Sequence, residues 1–73
     1  NRLSTAERRE LGQIEGKIEA AEEEVAALER QMEDPAVASD AVRLHEVWDA
    51  LPIAREKVTA LYARWEELEA KRG

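Results

Sequence analysis

Cysteine and phenylalanine are both absent from this chain of 73 residues, and its aromatic side chains are two tryptophans and one tyrosine. Without cysteine there can be no disulfide, no thiolate nucleophile and no cysteine-based zinc site, which fits a protein of the reducing cytoplasm. Because aromatic bulk is scarce, the apolar residues are mainly aliphatic side chains and alanine. This composition does not favour a compact globular core.

Long apolar runs and catalytic constellations are also lacking. No apolar run approaches the roughly 20 residues that a transmembrane helix requires, so we expect a soluble segment without membrane contact. The single histidine, His45, has no second ligand at a zinc-like spacing, and there is no glycine-rich phosphate loop. Carboxylates on solvated helix faces do not form an acid–base site. We therefore expect no catalytic residue, metal site or cofactor in this chain.

Charge is what the sequence has in abundance. Charged residues make up 38% of the chain, which is typical of a long solvated helix or coiled coil, and the formal net charge is −6. Net negative charge opposes attraction to nucleic acid, because affinity for phosphate backbones comes mainly from lysine and arginine. Any contact with nucleic acid would therefore have to use a local basic patch.

Two runs of apolar residues alternate in steps of three and four, which is the pattern of a coiled-coil seam. Ser4 and Glu7 have the spacing of a capping box that would begin the first helix. The sequence predicts an all-α, antiparallel two-helix coiled-coil hairpin, with a first helix over about 5–33, a tip over 34–40 and a second helix over about 41–72. The two seams are Leu11, Ile14, Ile18, Ala21, Val25, Leu28 and Met32, and Leu44, Val47, Leu51, Ala54, Val58, Leu61, Trp65 and Leu68.

Proline occurs twice and has a different meaning at each position. Pro35 ends the first helix, after which Ser39 or Asp40 can cap the second; a short helical turn that begins at Pro35 and is capped by Asp34 is equally allowed. Pro52 falls inside the second helix, but at a heptad position outside the seam, and the heptad phase continues through it. We therefore predict a helix that is kinked at Pro52 but continuous.

The charges that flank the seam select one register, because equivalent flanking positions of antiparallel helices face each other. Four attractive flanking pairs are predicted, and Lys17 opposite Arg64 is the only like-charged pair. The predicted flanking pairs are Glu10 with Lys71, Glu24 with Lys57, Glu22 with Arg55, and Arg8 with Glu69. The seam pairs of this register are Leu11 with Leu68, Ile14 with Trp65, Ile18 with Leu61, Ala21 with Val58, Val25 with Ala54, and Leu28 with Leu51.

Two sets of residues beside the seam are candidates for function. Trp65 is predicted to be core, whereas Trp48 and Tyr62 flank the seam and could either pack down or contact a partner. The basic set could be neutralised within the hairpin or could form a phosphate-contacting stripe centred on Lys17 and Arg64. Its members share one edge of the hairpin and are Lys17, Arg43, Lys57, Arg64 and Lys71.

The stretch Tyr62-Ala63-Arg64-Trp65-Glu66-Glu67-Leu68-Glu69 resembles the signature ending of the C-terminal coiled-coil domain of Uup-like ABC-F ATPases. The opening Leu3-Ser4 and the tip Asp34-Pro35 resemble the same domain, as do segments between them, in order and at matching separations. The more specific parts are the opening, the tip and the closing motif, because heptads alone converge among coiled coils. The resemblance covers nearly the whole chain.

This resemblance implies that residues 1–73 are one domain of a larger cytoplasmic protein with two upstream ATPase domains, which would bind ATP and magnesium. It also implies association with DNA or with ribosomal RNA, with Lys17 and Arg64 at positions that tend to be basic in the family. Our leading hypothesis is a non-catalytic arm that contacts nucleic acid. The alternative is a protein-interaction or weakly self-associating arm that docks through Trp48, Tyr62 and the tip, and a purely structural spacer is a third possibility.

Overall fold

The computed structural model describes residues 2–73, which form three helices and, within that range, no strand. They are α1 (Thr5–Glu33), α2 (Pro35–Ala38) and α3 (Ala41–Arg72). Contacts between Glu7 and Lys71 and between Glu29 and Arg55 show that α1 and α3 run antiparallel. The predicted all-α hairpin is confirmed, with extents of 52 × 16 × 15 Å. No helix of residues 2–73 has both the length and the apolar character needed to span a membrane.

The first helix begins at the predicted capping box. The backbone N–H of Glu7 donates to Ser4 Oγ at 3.0 Å, and the backbone N–H of Ser4 donates to Glu7 Oε1 at 2.9 Å. These two bonds satisfy donors that a helix start otherwise leaves without partners. α1 therefore starts at a position that local chemistry determines, and it ends at Glu33, beyond which Asp34 has an extended backbone.

The tip is the short helical turn that the sequence allowed as one of two possibilities. Asp34 Oδ1 accepts from the N–H of Ala36 at 2.9 Å, and Pro35 occupies the first helical position, where its missing N–H costs nothing. Val37, in the middle of α2, is completely buried. The tip is thus a capped turn that contributes one apolar side chain to the interior.

The second long helix is capped by Asp40 and passes through Pro52 without interruption. Asp40 Oδ1 accepts from the N–H groups of Val42 and Arg43, and α3 ends at Arg72 with the N–H of Gly73 donating to the carbonyl of Glu69. The predicted continuity of the helix at Pro52 is confirmed. The kink at Pro52 stays a prediction.

Every predicted seam residue is buried or half-buried. A cluster of Ile14, Ile18 and Leu68 lies near the end of the hairpin where α1 begins and α3 ends, which we call the open end. The predicted core position of Trp65 is confirmed, since it packs against this cluster together with Leu3, Leu11 and Leu61. Toward the tip the buried residues are Ala21, Val37, Val47, Leu51 and Ala54.

Candidate nucleic-acid interface and its surroundings

The five basic candidates flank the seam at one heptad position, along what we call the basic edge: Lys17, Arg43, Lys57, Arg64 and Lys71. Within residues 2–73, Lys17, Arg43 and Lys57 are exposed and have no ion-pair partner. Arg64 and Lys71 are different, because both have carboxylate partners. The edge therefore divides into three free cations and two cations that hold the hairpin together.

Arg64 lies among carboxylates. Its Nε donates to Glu10 Oε2 at 2.7 Å and its Nη2 donates to Glu10 Oε1 at 2.8 Å, while Nη1 donates to Glu67 Oε1 at 3.1 Å. The paired bonds to Glu10 have the two-pronged geometry that planar guanidinium groups favour with carboxylates. The hydrogen bonds that Arg64 donates to Glu10 and Glu67 raise the pKa of Arg64, and the bonds that Glu10 accepts from Arg64 lower the pKa of Glu10.

The prediction that Arg64 faces Lys17 without compensation is therefore wrong. A long guanidinium side chain can bypass a like charge and reach a carboxylate one heptad away, which is what Arg64 does in contacting Glu10. Lys17 is also close enough for its charge to lower the pKa of Glu10. Both cations thus act on one carboxylate, although only Arg64 bonds to it.

Glu7 joins the two ends of the chain. Lys71 Nζ donates to Glu7 Oε2 at 2.5 Å, and Arg64 Nη2 lies 4.0 Å from the same oxygen. The bond from Lys71, followed by the backbone N–H of Ser4, lowers the pKa of Glu7 to about 2. We call Glu7, Glu10, Arg64 and Lys71 the clasp, because they tie α1 to α3 at the open end.

None of the four predicted flanking ion pairs is present among residues 2–73. On the basic edge, Lys71 bonds Glu7 instead of Glu10. On the other edge, Arg55 Nη2 bonds Glu29 Oε2 at 3.0 Å rather than Glu22, which accepts from Tyr62 Oη at 2.9 Å. The predicted pairs Glu24 with Lys57 and Arg8 with Glu69 are likewise wrong, because exposed long side chains have several partners within reach.

The two aromatic candidates have different surroundings. Tyr62 is 40% exposed and bridges to α1 through Glu22, which raises the pKa of the phenol. Trp48 is 60% exposed. Val42 and Ile53, which were not among the predicted contact residues, are each 70% exposed on α3. The sequence itself indicates their exposure, because both are bulky apolar residues outside the heptad seam.

The side chains that could act as metal ligands are aspartates, glutamates and the single histidine, His45. His45 Nε2 lies 3.3 Å from Asp49 Oδ2, one turn away on the exposed face of α3. Within residues 2–73, no group of three or more histidine, aspartate or glutamate side chains is arranged to hold a metal ion.

Comparison with known proteins gives one match. The family model described as ABC transporter C-terminal domain matches residues 2–70, which is nearly the whole chain. No curated protein and no solved structure matches it.

Proposed function

Because the chain belongs to the family of ABC transporter C-terminal domains and is thus an accessory domain of an ABC protein, we propose that it contacts nucleic acid through the basic edge. The observation that carries this proposal is the exposure of Lys17, Arg43 and Lys57 on one edge, without carboxylate partners in residues 2–73. Free cations can exchange their counterions for phosphates, which is the main source of affinity for nucleic acid.

The spacing of the free cations favours an extended backbone as the partner. Arg43 and Lys57 are two heptads apart on α3, or about 21 Å at 1.5 Å per residue. Lys17 lies across the seam on α1, on the same edge. Contacts of this kind position a protein on phosphates without reading bases, so we expect binding to duplex DNA or structured RNA with little sequence preference.

Arg64 and Lys71 have a supporting part in this proposal. Their charges are engaged by Glu10, Glu67 and Glu7, so moving either cation to a phosphate would leave a carboxylate of the clasp without its partner. The two cations therefore maintain the edge on which the free cations are displayed.

We propose further that the parent is an ABC-F protein of the Uup-like kind, acting in the cytoplasm on DNA or on the ribosome. This rests on the closing motif, in which Trp65 and Leu68 belong to the core and Arg64 and Glu67 form ion pairs. ATP and magnesium would then be bound by the ATPase domains of the parent, and the present domain would direct that machinery toward nucleic acid without a catalytic part of its own.

The test is a fluorescence-anisotropy titration of a labelled 20-base-pair DNA duplex and an RNA hairpin. We expect binding at low salt whose logarithm falls with the logarithm of salt concentration with a slope of about −2 to −3, since each phosphate contact contributes about −0.9 on duplex DNA. The double variant Lys17→Glu, Lys57→Glu should abolish binding. Arg64 is left unchanged because its substitution would also loosen the hairpin.

The matched control is the double variant Arg2→Glu, Arg9→Glu, which makes the same change in net charge at exposed cations away from the basic edge. Both residues have no ion-pair partner within residues 2–73. We expect this control to bind far better than the Lys17, Lys57 variant. Equal loss in the two variants, or no binding by the wild type at low salt, would refute the proposal.

A second candidate function is docking on a partner protein through exposed apolar and aromatic side chains of α3, as favoured by the exposure of Val42, Trp48, Ile53 and Tyr62. Binding of this kind should persist at high salt, because burial of apolar surface is not screened. Light scattering would show a concentration-dependent mass if the partner were a second copy, and Trp48→Ala or Tyr62→Ala should remove it. A mass that stays monomeric throughout would exclude self-association.

A further inference from the structure

A groove runs along the edge of the hairpin opposite the basic edge, which we call the groove edge. It consists of three depressions of about 380, 300 and 490 Å³, in order from the open end toward the middle of the hairpin. The first and second share Glu15 and Trp65, and the second and third share Glu22. The depressions therefore form one continuous groove between α1 and α3.

The floor of the groove is apolar and incompletely covered. Leu11, Val25, Val58 and Trp65 line it and are each only half-buried. Glycine contributes to this space: at Gly12 in the first depression, an added Cβ would meet no atom within 4 Å beyond its chain neighbours and the local backbone of its own helix. Trp65 Nε1 is the only buried side-chain nitrogen or oxygen atom of residues 2–73 that has no hydrogen-bond partner. The hairpin thus leaves its own seam partly open on this edge.

On the α1 side, the rim of the middle depression is acidic. Glu15 and Glu19 line the middle depression, and neither has an ion-pair partner within residues 2–73. The other rim carboxylates are engaged, for Glu22 accepts from Tyr62 and Glu29 pairs with Arg55. The first depression is also lined by Arg8, which has no ion-pair partner within residues 2–73, and by Arg72, which pairs with Glu69. The middle of the groove therefore combines an apolar floor with two unpaired carboxylates, whereas its open end carries one unpaired cation.

We propose that this groove binds a basic amphipathic helix of a partner protein, which lies against α1 and α3 as the third helix of a coiled coil. Apolar side chains of that helix would cover Trp65 and Val58, and its lysines or arginines would meet Glu15 and Glu19. Charge complementarity identifies the occupant, because nucleic acid would be repelled by these carboxylates. A second copy of the chain, with net charge −6, would bring further negative charge to them.

This inference is separate from nucleic-acid binding, since the two surfaces lie on opposite edges. The helix-in-groove mode of recognition requires anchors at helical spacing and a matching charged rim, both of which the groove edge has. Leu3 lies just before α1, and from the start of α1 at Thr5 to Glu29 the helix rises over about 24 residues, or about 36 Å. A partner helix of about seven turns would fill it.

The probe for the first test is a fluorescein-labelled designed peptide of 25 residues with leucine at heptad positions a and d and lysine at e and g. The control peptide has glutamate in place of every lysine. We expect the lysine peptide to bind and the glutamate peptide not to bind. The variant Glu15→Lys, Glu19→Lys should weaken binding of the lysine peptide by at least about tenfold, since two rim ion pairs are lost and replaced by repulsion.

Two matched controls distinguish an effect of the groove on peptide binding from an effect of net charge. Glu46→Lys, Glu56→Lys makes the same charge change at exposed positions of α3 outside the groove, and should keep most of the affinity. Gly12→Leu should weaken binding by filling the first depression without altering charge. Gly16→Leu, at a position with equally open space but outside the groove, should not.

Each peptide and each variant has an outcome that would contradict the groove proposal. Equal weakening by the two glutamate-to-lysine variants, equal binding of both peptides, or no binding of the lysine peptide would overturn the groove proposal. The variant Lys17→Glu, Lys57→Glu should still bind the lysine peptide although it no longer binds DNA. Failure of one proposal can therefore be told from failure of the other.

Discussion

Arg64 shows how the neighbourhood of one side chain decides its part in the molecule. By sequence it is the centre of a basic stripe, but its guanidinium binds Glu10 with two nitrogens and Glu67 with a third. A cation satisfied in this way has little to gain from a phosphate. The free cations Lys17, Arg43 and Lys57 are therefore better candidates for contact with a partner.

Glu7 should make the stability of the hairpin depend on pH in acid. Lys71 and the N–H of Ser4 lower its pKa from 4.5 to about 2. A carboxyl whose pKa is lowered by folding contributes stability that is complete above its ordinary pKa and is lost as the pH falls through the folded value. We expect the free energy of unfolding, measured by urea denaturation at a series of pH values, to fall between about pH 4.5 and 2.

The variant Glu7→Gln should remove that contribution while keeping an acceptor for the Ser4 N–H. Its difference from the wild type should be largest above pH 5 and should shrink toward pH 2. Glu19→Gln is the control, because Glu19 is exposed and forms no ion pair within residues 2–73. Parallel stability profiles for Glu7→Gln and the wild type would contradict this assignment.

At the scale of the elements, α3 contains the clearest conflict between a residue and its helix. Pro52 cannot donate to the carbonyl of Trp48, and its ring crowds that carbonyl, yet the helix continues through it. Pro52→Ala should therefore stabilise the hairpin, by up to about 3 kcal/mol in the free energy of unfolding measured by urea denaturation.

The matched control for this substitution is Pro35→Ala at the first position of α2. There the missing N–H would have had no helical partner, so we expect no gain and a small loss, since alanine adds freedom to the unfolded chain. If Pro52→Ala destabilised the chain, the proline would have to serve the native geometry of α3 in a way that its exposed position does not suggest.

The helices and their caps could be predicted because each depends on residues that are close in sequence. Ser4 and Glu7 are three residues apart, and the seam follows from helical periodicity alone. The flanking pairs could not be predicted, because Arg64 and Arg55 each had carboxylates within reach on either side. The groove was not predicted either, although Gly12 beside Leu11 and Ala26 beside Val25 were a signal of missing volume.

As a whole molecule, the hairpin is a rod rather than a globule. Its radius of gyration is 16.4 Å, whereas a compact domain of the same length would have about 11 Å. A rod has no deep interior, so its specificity must lie along its edges. Here one edge carries free cations and the opposite edge an apolar groove with free carboxylates, so the two partners that we propose would not compete for the same surface.

The clasp also has a kinetic consequence. It joins residues as far as 64 positions apart, whereas Arg55 and Glu29 are 26 apart and α2 connects immediate neighbours. The entropy lost on closing a loop grows with its length, so contacts nearest the turn are the least costly to form first. Folding should therefore proceed as a zipper from the tip, with the clasp closing last.

In stopped-flow measurements, Arg64→Met should accelerate unfolding and leave the refolding rate nearly unchanged, because its contacts are absent from the transition state. Val37→Ala, at the buried centre of the tip, should instead slow refolding. The reverse pattern would show that the chain closes from its ends. If the hairpin folds from the tip in this way, salt should mainly shorten the lifetime of the folded state. Screening of the clasp would speed unfolding and leave the time needed to fold almost unchanged.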